Sequence, residues 1–197
     1  MIKIEIKGID ALQGKVASYS KRKEIQINAA LKDWANRTSR DAKALVSANS
    51  SDTGFLQNSI APEYGKGYSA VVAASKYAAY VEFGTRKFAS QYVSTLPSDW
   101  KAYAATFKGK SNSGDYFDFL NAILDWVKRK GIVATYSVKT GRRQRFGKKE
   151  QDRTERAAEL IAFKILRDGV KAKPFIYPSV NKNLPILLED IKKVTKL

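Results

Sequence analysis

The sequence contains no cysteine and no histidine among its 197 residues. The lack of cysteine excludes disulfide frameworks, thiolate nucleophiles and cysteine-bound zinc sites. The lack of histidine excludes a Ser-His-Asp triad, a histidine general base and two-histidine metal sites. Apolar runs are only a few residues long, whereas about 20 apolar residues are needed to cross a bilayer. Any catalysis would therefore depend on carboxylates, lysine, tyrosine, serine or threonine, and we expect no contact with a membrane.

Positive charge is what the composition has in excess. The chain has 36 lysines and arginines against 19 acidic residues, a net charge of +17. A surface this basic attracts nucleic acid, anionic membranes or acidic proteins, unless the protein is simply basic. The length is typical of one domain, here residues 1–197. The charged start of the chain is not a secretory signal, so we expect a protein made and kept, or assembled, in the cytosol.

Hydrophobic periodicity predicts one long helix and several shorter ones. Over residues 24–48, apolar side chains such as Ile27, Leu31, Trp34 and Leu45 recur at spacings of three and four and form one stripe. No glycine or proline interrupts this run. Shorter helices are predicted over residues 11–19, 77–83, 99–107, 116–129, 151–167 and 184–194.

Strands are predicted in three places. Residues 2–6 alternate isoleucine with charged residues, and residues 68–74 are small or β-branched. A third strand is predicted over residues 132–138. Pro174 and Pro178 predict an extended segment over residues 173–180, because the residue before a proline avoids helical geometry.

A basic segment over residues 139–149 contains two glycines and no acidic residue. Such a loop can neutralise several phosphates without rigid geometry. The pattern leaves three interpretations open: contact with a polyanion, contact with an acidic protein neighbour, or a solvated loop. Six of its eleven residues are basic: Lys139, Arg142, Arg143, Arg145, Lys148 and Lys149.

Motifs for nucleotide or metal chemistry are incomplete. The Gly-Lys-Ser at residues 109–111 lacks the glycine that a phosphate-binding loop needs five residues earlier, where Ala104 stands. The acidic residues are scattered, whereas a two-metal nuclease needs several convergent carboxylates. We therefore predict no catalytic residue, no metal ligand and no cofactor, and we expect that the protein is not an enzyme.

Three segments resemble, in this order, segments of a known family. They are TGFLQNSI at residues 53–60, YAAYVEFGT at 77–85 and KPFIYPS at 173–179. The chain thus resembles the tail-completion (head–tail joining, minor tail component) family of long-tailed bacteriophages, and the middle segment is the most specific of the three. The resemblance covers about residues 25–85 and 115–190. The region over about 86–115 is longer than usual, as in a variable insertion.

The resemblance implies an α+β fold, a small mixed or antiparallel sheet flanked by a long N-terminal helix and further helices, with long loops. It also implies a ring, usually of six subunits, that completes the tail tube and joins it to the neck. The implied partners are further copies of the chain, neck or connector proteins on the head side and the tail tube protein. The implied location is the head–tail junction of the virion, assembled in the host bacterial cytoplasm. The high positive charge, rather than the resemblance, leaves open a non-specific contact with packaged double-stranded DNA.

Residues of the second and third segments are candidates for the contact between subunits, because large aromatic residues are enriched at interfaces. Tyr80 and Phe83 could equally belong to the core, and Glu82 could pair with an arginine of a neighbour or be solvated. The alternative to a ring subunit is a module that binds double-stranded DNA through residues 139–149. The candidate interface residues are Tyr77, Tyr80, Glu82, Phe83, Gly84, Thr85, Pro174 and Phe175.

Overall fold

The computed structural model describes residues 1–5, 21–49, 52–65, 67–108, 116–132 and 148–195. Over these ranges the chain forms three strands and eight helices, which confirms the predicted α+β class. In chain order they are β1 (Ile2–Glu5), α1 (Lys21–Asn49), α2 (Phe55–Asn58), β2 (Ile60–Gly65), β3 (Tyr68–Ala73), α3 (Ala78–Phe83), α4 (Arg86–Val93), α5 (Ser98–Ala105), α6 (Tyr116–Lys130), α7 (Lys148–Asp168) and α8 (Ile176–Thr195).

The three strands form an antiparallel sheet with β3 in the centre, in the order β1-β3-β2. β2 and β3 form a hairpin whose register pairs Ile60 with Ala73 and Gly65 with Tyr68. Gly67 in the turn has a φ of 77°, a left-handed conformation that glycine adopts without cost. β1 lies on the other side of β3 and pairs Ile2 with Ala73.

Helix α1 packs against the sheet and α8, and its buried stripe is the predicted one. Leu31, Trp34 and Ala42 are at most 1 % exposed and belong to one core with the inward side chains of the sheet. Polar contacts hold α8 alongside α1 as well. The Asn183 amide donates to Asp41 at 2.8 Å, and Arg37 lies 3.3 Å from Asp190. The long helix is therefore the element on which the sheet and α8 are assembled.

Helices α6 and α7 pack on each other and form a two-helix arm. Small residues of α7, Ala158 and Ala162, are buried. Leu160 and Phe163 on its outer face are 64 % and 61 % exposed. Surface ion pairs of Arg129 and Lys130 with Asp52 connect the arm to the rest of the chain.

The region predicted as an insertion contains two helices in its described part. Up to residue 108 it folds into α4, which the sequence did not predict, and α5, which matches the helix predicted over 99–107. The single-domain prediction for residues 1–197 and the status of 86–115 as an insertion stay predictions.

The segment before and at the start of α8 differs from its prediction. The extended conformation predicted over residues 173–180 is wrong from Ile176 onward, where α8 begins. Pro178 lies in the first turn of that helix, where the missing N–H has no intrahelical acceptor to lose. The predicted helix over 11–19 and nearly all of the predicted strand over 132–138 lie outside the described residues.

Among the described helices, none combines the length and the apolar character that crossing a bilayer requires.

Candidate functional site

The second and third motif segments meet at one buried carboxylate. Helix α3 directs the side chain of Glu82 into the interior, where it is fully buried. Its two oxygens accept hydrogen bonds from three backbone N–H groups at the start of α8, those of Phe175 at 2.7 Å, Ile176 at 2.9 Å and Tyr177 at 2.9 Å. The carboxylate thus joins residues that lie more than 90 positions apart in the chain.

Glu82 acts as a cap for α8. The first N–H groups of a helix have no partner within the helix. At α8 three of them bond to Glu82, and the next residue, Pro178, has no N–H to satisfy. A negative charge at a helix N-terminus is also favoured by the helix dipole. One side chain from a distant segment therefore satisfies the whole first turn.

Burial changes the acidity of this site. Loss of contact with water raises the pKa of Glu82, while the hydrogen bonds from Phe175, Ile176 and Tyr177 act in the opposite direction. Burial also raises the pKa of the Tyr92 phenol, and the nearby charge of Glu82 adds to that shift. A buried carboxylate is tolerated only when hydrogen bonds compensate for the lost hydration, and the start of α8 supplies them.

The Gly-Thr that ends the second segment is clamped against the chain just before α8. The Thr85 N–H donates to the carbonyl of Val170 at 2.9 Å, and the Val170 N–H donates back to Thr85 Oγ1 at 2.8 Å. Lys173 N–H also donates to the carbonyl of Val81 at 2.8 Å. These bonds hold the two segments side by side.

Gly84 is needed for this close approach. Its φ is 74°, in the left-handed region. A Cβ atom there would lie 2.8 Å from the Ala172 backbone nitrogen and 2.9 Å from the Val170 carbonyl oxygen. Both the backbone conformation and the space therefore require glycine at this position.

An aromatic cluster covers the outer side of the junction. The Phe83 ring lies 6.0 to 6.5 Å from the rings of Trp100, Tyr103 and Phe107. Trp100 meets Tyr177 edge-to-face, with the ring centroids 4.9 Å apart, a geometry that aromatic pairs prefer. Helix α5 thereby packs directly onto the second and third motif segments.

The candidate interface residues differ in how much surface they offer. Glu82, Phe83, Gly84 and Phe175 are buried within the chain, so Phe83 belongs to the core. Glu82 is not solvated, since its carboxylate is bonded within its own chain. Tyr77 is 42 % exposed. The others, Tyr80, Thr85 and Pro174, are half-buried. The role of the set in subunit contact stays a prediction.

The basic segment is described only at its end. Lys148 and Lys149 belong to the first turn of α7, so the predicted loop is corrected there. Lys139, Arg142, Arg143 and Arg145 lie outside the described residues. Among the described residues, no group of three or more acidic side chains could together hold a metal ion.

Sequence reasoning missed the capping role of Glu82. The cap residue and the helix lie far apart, so no local capping pattern of the usual spacing is present. One available signal was the Pro178 near the start of an amphipathic stretch, because proline is common in the first turn of helices.

Comparison with protein families supports the resemblance. Residues 10–84 match the HK97-gp10-like family, described as "Bacteriophage HK97-gp10, putative tail-component". The match includes the first motif segment and all but Thr85 of the second, which confirms the resemblance to phage tail components and indicates a location in the virion. The third segment lies beyond the matched range. Searches of curated proteins and of solved structures found no significant match.

Proposed function

We propose that this protein is a structural subunit of the head–tail junction of a long-tailed bacteriophage. Copies of the chain, six in number, form a ring that completes the tail tube and joins it to the neck. Its neighbours are neck or connector proteins on the head side and the tail tube protein on the other. The chain acts by association rather than by catalysis. The observation that carries this proposal is the match of residues 10–84 to a family of phage tail components.

The surface has features that suit a ring subunit. A ring closes when one patch of a subunit repeatedly binds a different patch of the next. Tyr77 at 42 % exposure and Phe55 at 70 % lie within the two N-terminal motif segments and offer aromatic surface for such a contact. Exposed aromatic side chains are frequent anchors of protein interfaces.

Charge restricts how the ring can be built. Six chains of +17 would bring about 100 positive charges together. DNA in the lumen, acidic neighbours or an outward placement of the basic segments would offset this repulsion. The ring is therefore expected to be more stable in the presence of an anionic partner than alone.

Electron cryomicroscopy of the intact neck, with mass measurement of the purified chain, tests the proposal. We expect one ring of six copies at the head–tail junction. The variant Tyr77→Ala should weaken self-association, and Leu188→Ala, a control of similar exposure on α8 at 51 %, should not. Absence of the chain from mature virions would overturn the proposal.

A second candidate function is binding of double-stranded DNA through residues 139–149. The observation in its favour is that six of these eleven residues are basic and none is acidic. Each phosphate contact adds about 0.9 to the slope of log affinity against log salt. The variant carrying Arg142→Ala, Arg143→Ala and Arg145→Ala should lower that slope. A control with three exposed helical arginines replaced, Arg40, Arg153 and Arg156, should lower it less. Equal slopes would remove the support for this function.

A further inference from the structure

A cavity lies beside the motif junction, between α3, α4 and α5. Its volume is about 560 Å³, within the range typical of ligand pockets. The aromatic side chains of Tyr80, Phe83 and Phe107 line it. The other apolar side chains that line it are small, so the volume is left open: Ala79, Ala89, Val93, Ala104 and Ala105.

Three cations border this apolar space. Arg86, Lys101 and Lys108 line the cavity and are exposed. No carboxylate is among the described residues that line it, and none of the three cations has an ion-pair partner in the described part of the chain. The next residue along, Lys87, does have one, because its ammonium lies 3.0 Å from Asp168. The cavity thus carries positive charge that the described residues do not neutralise.

The backbone of Arg86 is held in an unusual conformation. Its φ is 50°, in the left-handed region that side-chain-bearing residues rarely adopt. This conformation costs about 1–2 kcal/mol and persists where the surrounding structure enforces it. Here the hydrogen bonds between Thr85 and Val170 hold the residue just before it, so the backbone of Arg86 is positioned beside the cavity that its side chain lines.

We infer that this cavity binds an acidic segment of another protein that carries one bulky apolar side chain. The apolar side chain would fill the space beside Phe83 and Phe107, and carboxylates on either side of it would meet Arg86, Lys101 and Lys108. A nucleic acid fits less well, since phosphate contacts need a basic surface rather than an apolar cavity. The cavity lies within one chain and does not depend on assembly of the ring. Absence of binding to the cavity would therefore not count against the proposed ring.

The test measures binding of a fluorescein-labelled peptide, Gly-Asp-Glu-Phe-Glu-Asp-Gly, to the full chain at low and high salt. We expect binding that weakens as salt is raised, because the cations are exposed. The matched peptide with asparagine and glutamine in place of the acidic residues should bind at least about tenfold more weakly. Equal binding of both peptides, or no binding up to about 1 mM, would overturn the inference.

Two variants of the chain examine charge and space separately. The double variant Lys101→Glu with Lys108→Glu should weaken binding of the acidic peptide by about tenfold or more. The control is Lys164→Glu with Lys192→Glu, which changes the net charge equally at exposed sites. The control should leave the affinity within about twofold. Ala105→Trp should abolish binding by filling the cavity, and circular dichroism should show an unchanged fold. Unchanged affinity in a folded Ala105→Trp variant would contradict the inference.

DNA binding and self-association of the variants show which kind of molecule occupies the cavity. If a DNA duplex binds in place of the peptide and responds to the Lys101 and Lys108 changes, an acidic protein segment is the wrong ligand. If the same changes abolish self-association of the chain, the occupant is a second copy and the inference of another protein is overturned. Peptide binding to a chain that remains monomeric supports the inference.

Discussion

Glu82 and Asp52 are both carboxylates that bind groups far along the chain, but their surroundings are opposite. Glu82 is fully buried and accepts three backbone hydrogen bonds. Asp52 lies at the surface, 2.8 Å from Arg129 and 3.1 Å from Lys130 of the arm. Hydrogen bonds from Arg129 and Lys130 lower the pKa of Asp52, whereas burial raises that of Glu82.

The two regions therefore depend on different forces. At the junction, water cannot replace a lost hydrogen-bond partner, so each bond there carries its full desolvation penalty. At the base of the arm, water and salt ions compete with each ion pair, and surface pairs contribute little. We expect the junction to control the stability of the fold and the arm to be connected only weakly through its charges.

The largest effect is expected from removal of the buried carboxylate. Glu82→Ala leaves three N–H groups at the start of α8 without an acceptor, two of them buried and one half-buried. The free energy of unfolding, measured by urea denaturation, should fall by about 3–5 kcal/mol. Glu82→Gln keeps one carbonyl acceptor and should lose less, which provides a folded variant if the first does not fold. A loss below about 1 kcal/mol for Glu82→Ala would show that solvent replaces the cap.

Gly84 and Gly54 have nearly the same φ. Substitution of each by alanine therefore separates the cost of backbone strain from the cost of close packing. Gly84→Ala should cost about 2–4 kcal/mol, because its new Cβ would press on the backbone before α8. Gly54→Ala is the matched control, since Gly54 has a φ of 76° but its Cβ would meet only Asn58 Nδ2 at 3.8 Å. The control should cost only the strain, about 1–2 kcal/mol. Equal losses in thermal or urea unfolding would mean that the close approach at Gly84 is unimportant.

Titration of Glu82 should contribute to the pH dependence of the free energy of unfolding. Its pKa in the folded chain is raised above the ordinary 4.5, so above that pH the folded state holds more protons than the unfolded state. The free energy of unfolding should then fall as pH rises from 4.5 toward the folded value, by at most about 1.4 kcal/mol per pH unit for one proton. Glu82→Gln should flatten this slope in urea unfolding series. The same slope in both proteins would refute the role of Glu82.

Carboxylates with lowered pKa values should have the opposite effect on stability. They should make the free energy of unfolding fall as the pH is lowered, in a more acidic range. Asp168 accepts hydrogen bonds from Arg167 and Lys87, which lower its pKa from 3.8 to about 2. Its contribution is present above pH 3.8 and is lost as the pH falls toward 2. The two effects can therefore be measured separately in one titration of stability.

The smallest effect is expected at the base of the arm. Asp52→Asn removes the charge that faces Arg129 and Lys130. The change in unfolding free energy should be far smaller than that of Glu82→Ala, and it should vanish in high salt because surface charges are screened. A loss at Asp52 that equals the loss at Glu82 and persists in high salt would erase the contrast between the two regions.

Local sequence patterns identified the helices with a strong apolar stripe. The stripe from Ile27 to Leu45 predicted the helix that became α1, and β3 appeared where small and β-branched residues follow one another. Strand β2 and helix α4 were not predicted. β2 contains Pro62 and is defined by its pairing with β3, and partners of this kind cannot be seen in a short window of sequence.

The candidate site was only partly visible in the sequence. The second and third motif segments contain both halves of the junction, Glu82 and Phe175 among them. Their contact joins positions 93 residues apart, so only folding reveals that the glutamate caps a helix rather than facing solvent or a neighbour. The cations at the cavity were likewise unremarkable in sequence, because Arg86, Lys101 and Lys108 come together only through the packing of α3, α4 and α5.

Composition and pattern alone established the basic character of this chain, the residue types open to any chemistry, its main helices and its likeness to phage tail components. Those properties depend on residue identity and on spacings of a few positions, which a sequence displays directly. The buried cap, the glycine that permits it and the charged cavity beside it depend on distances between remote segments. Such distances exist only after the chain has packed, because burial and hydrogen bonding are properties of the assembled core.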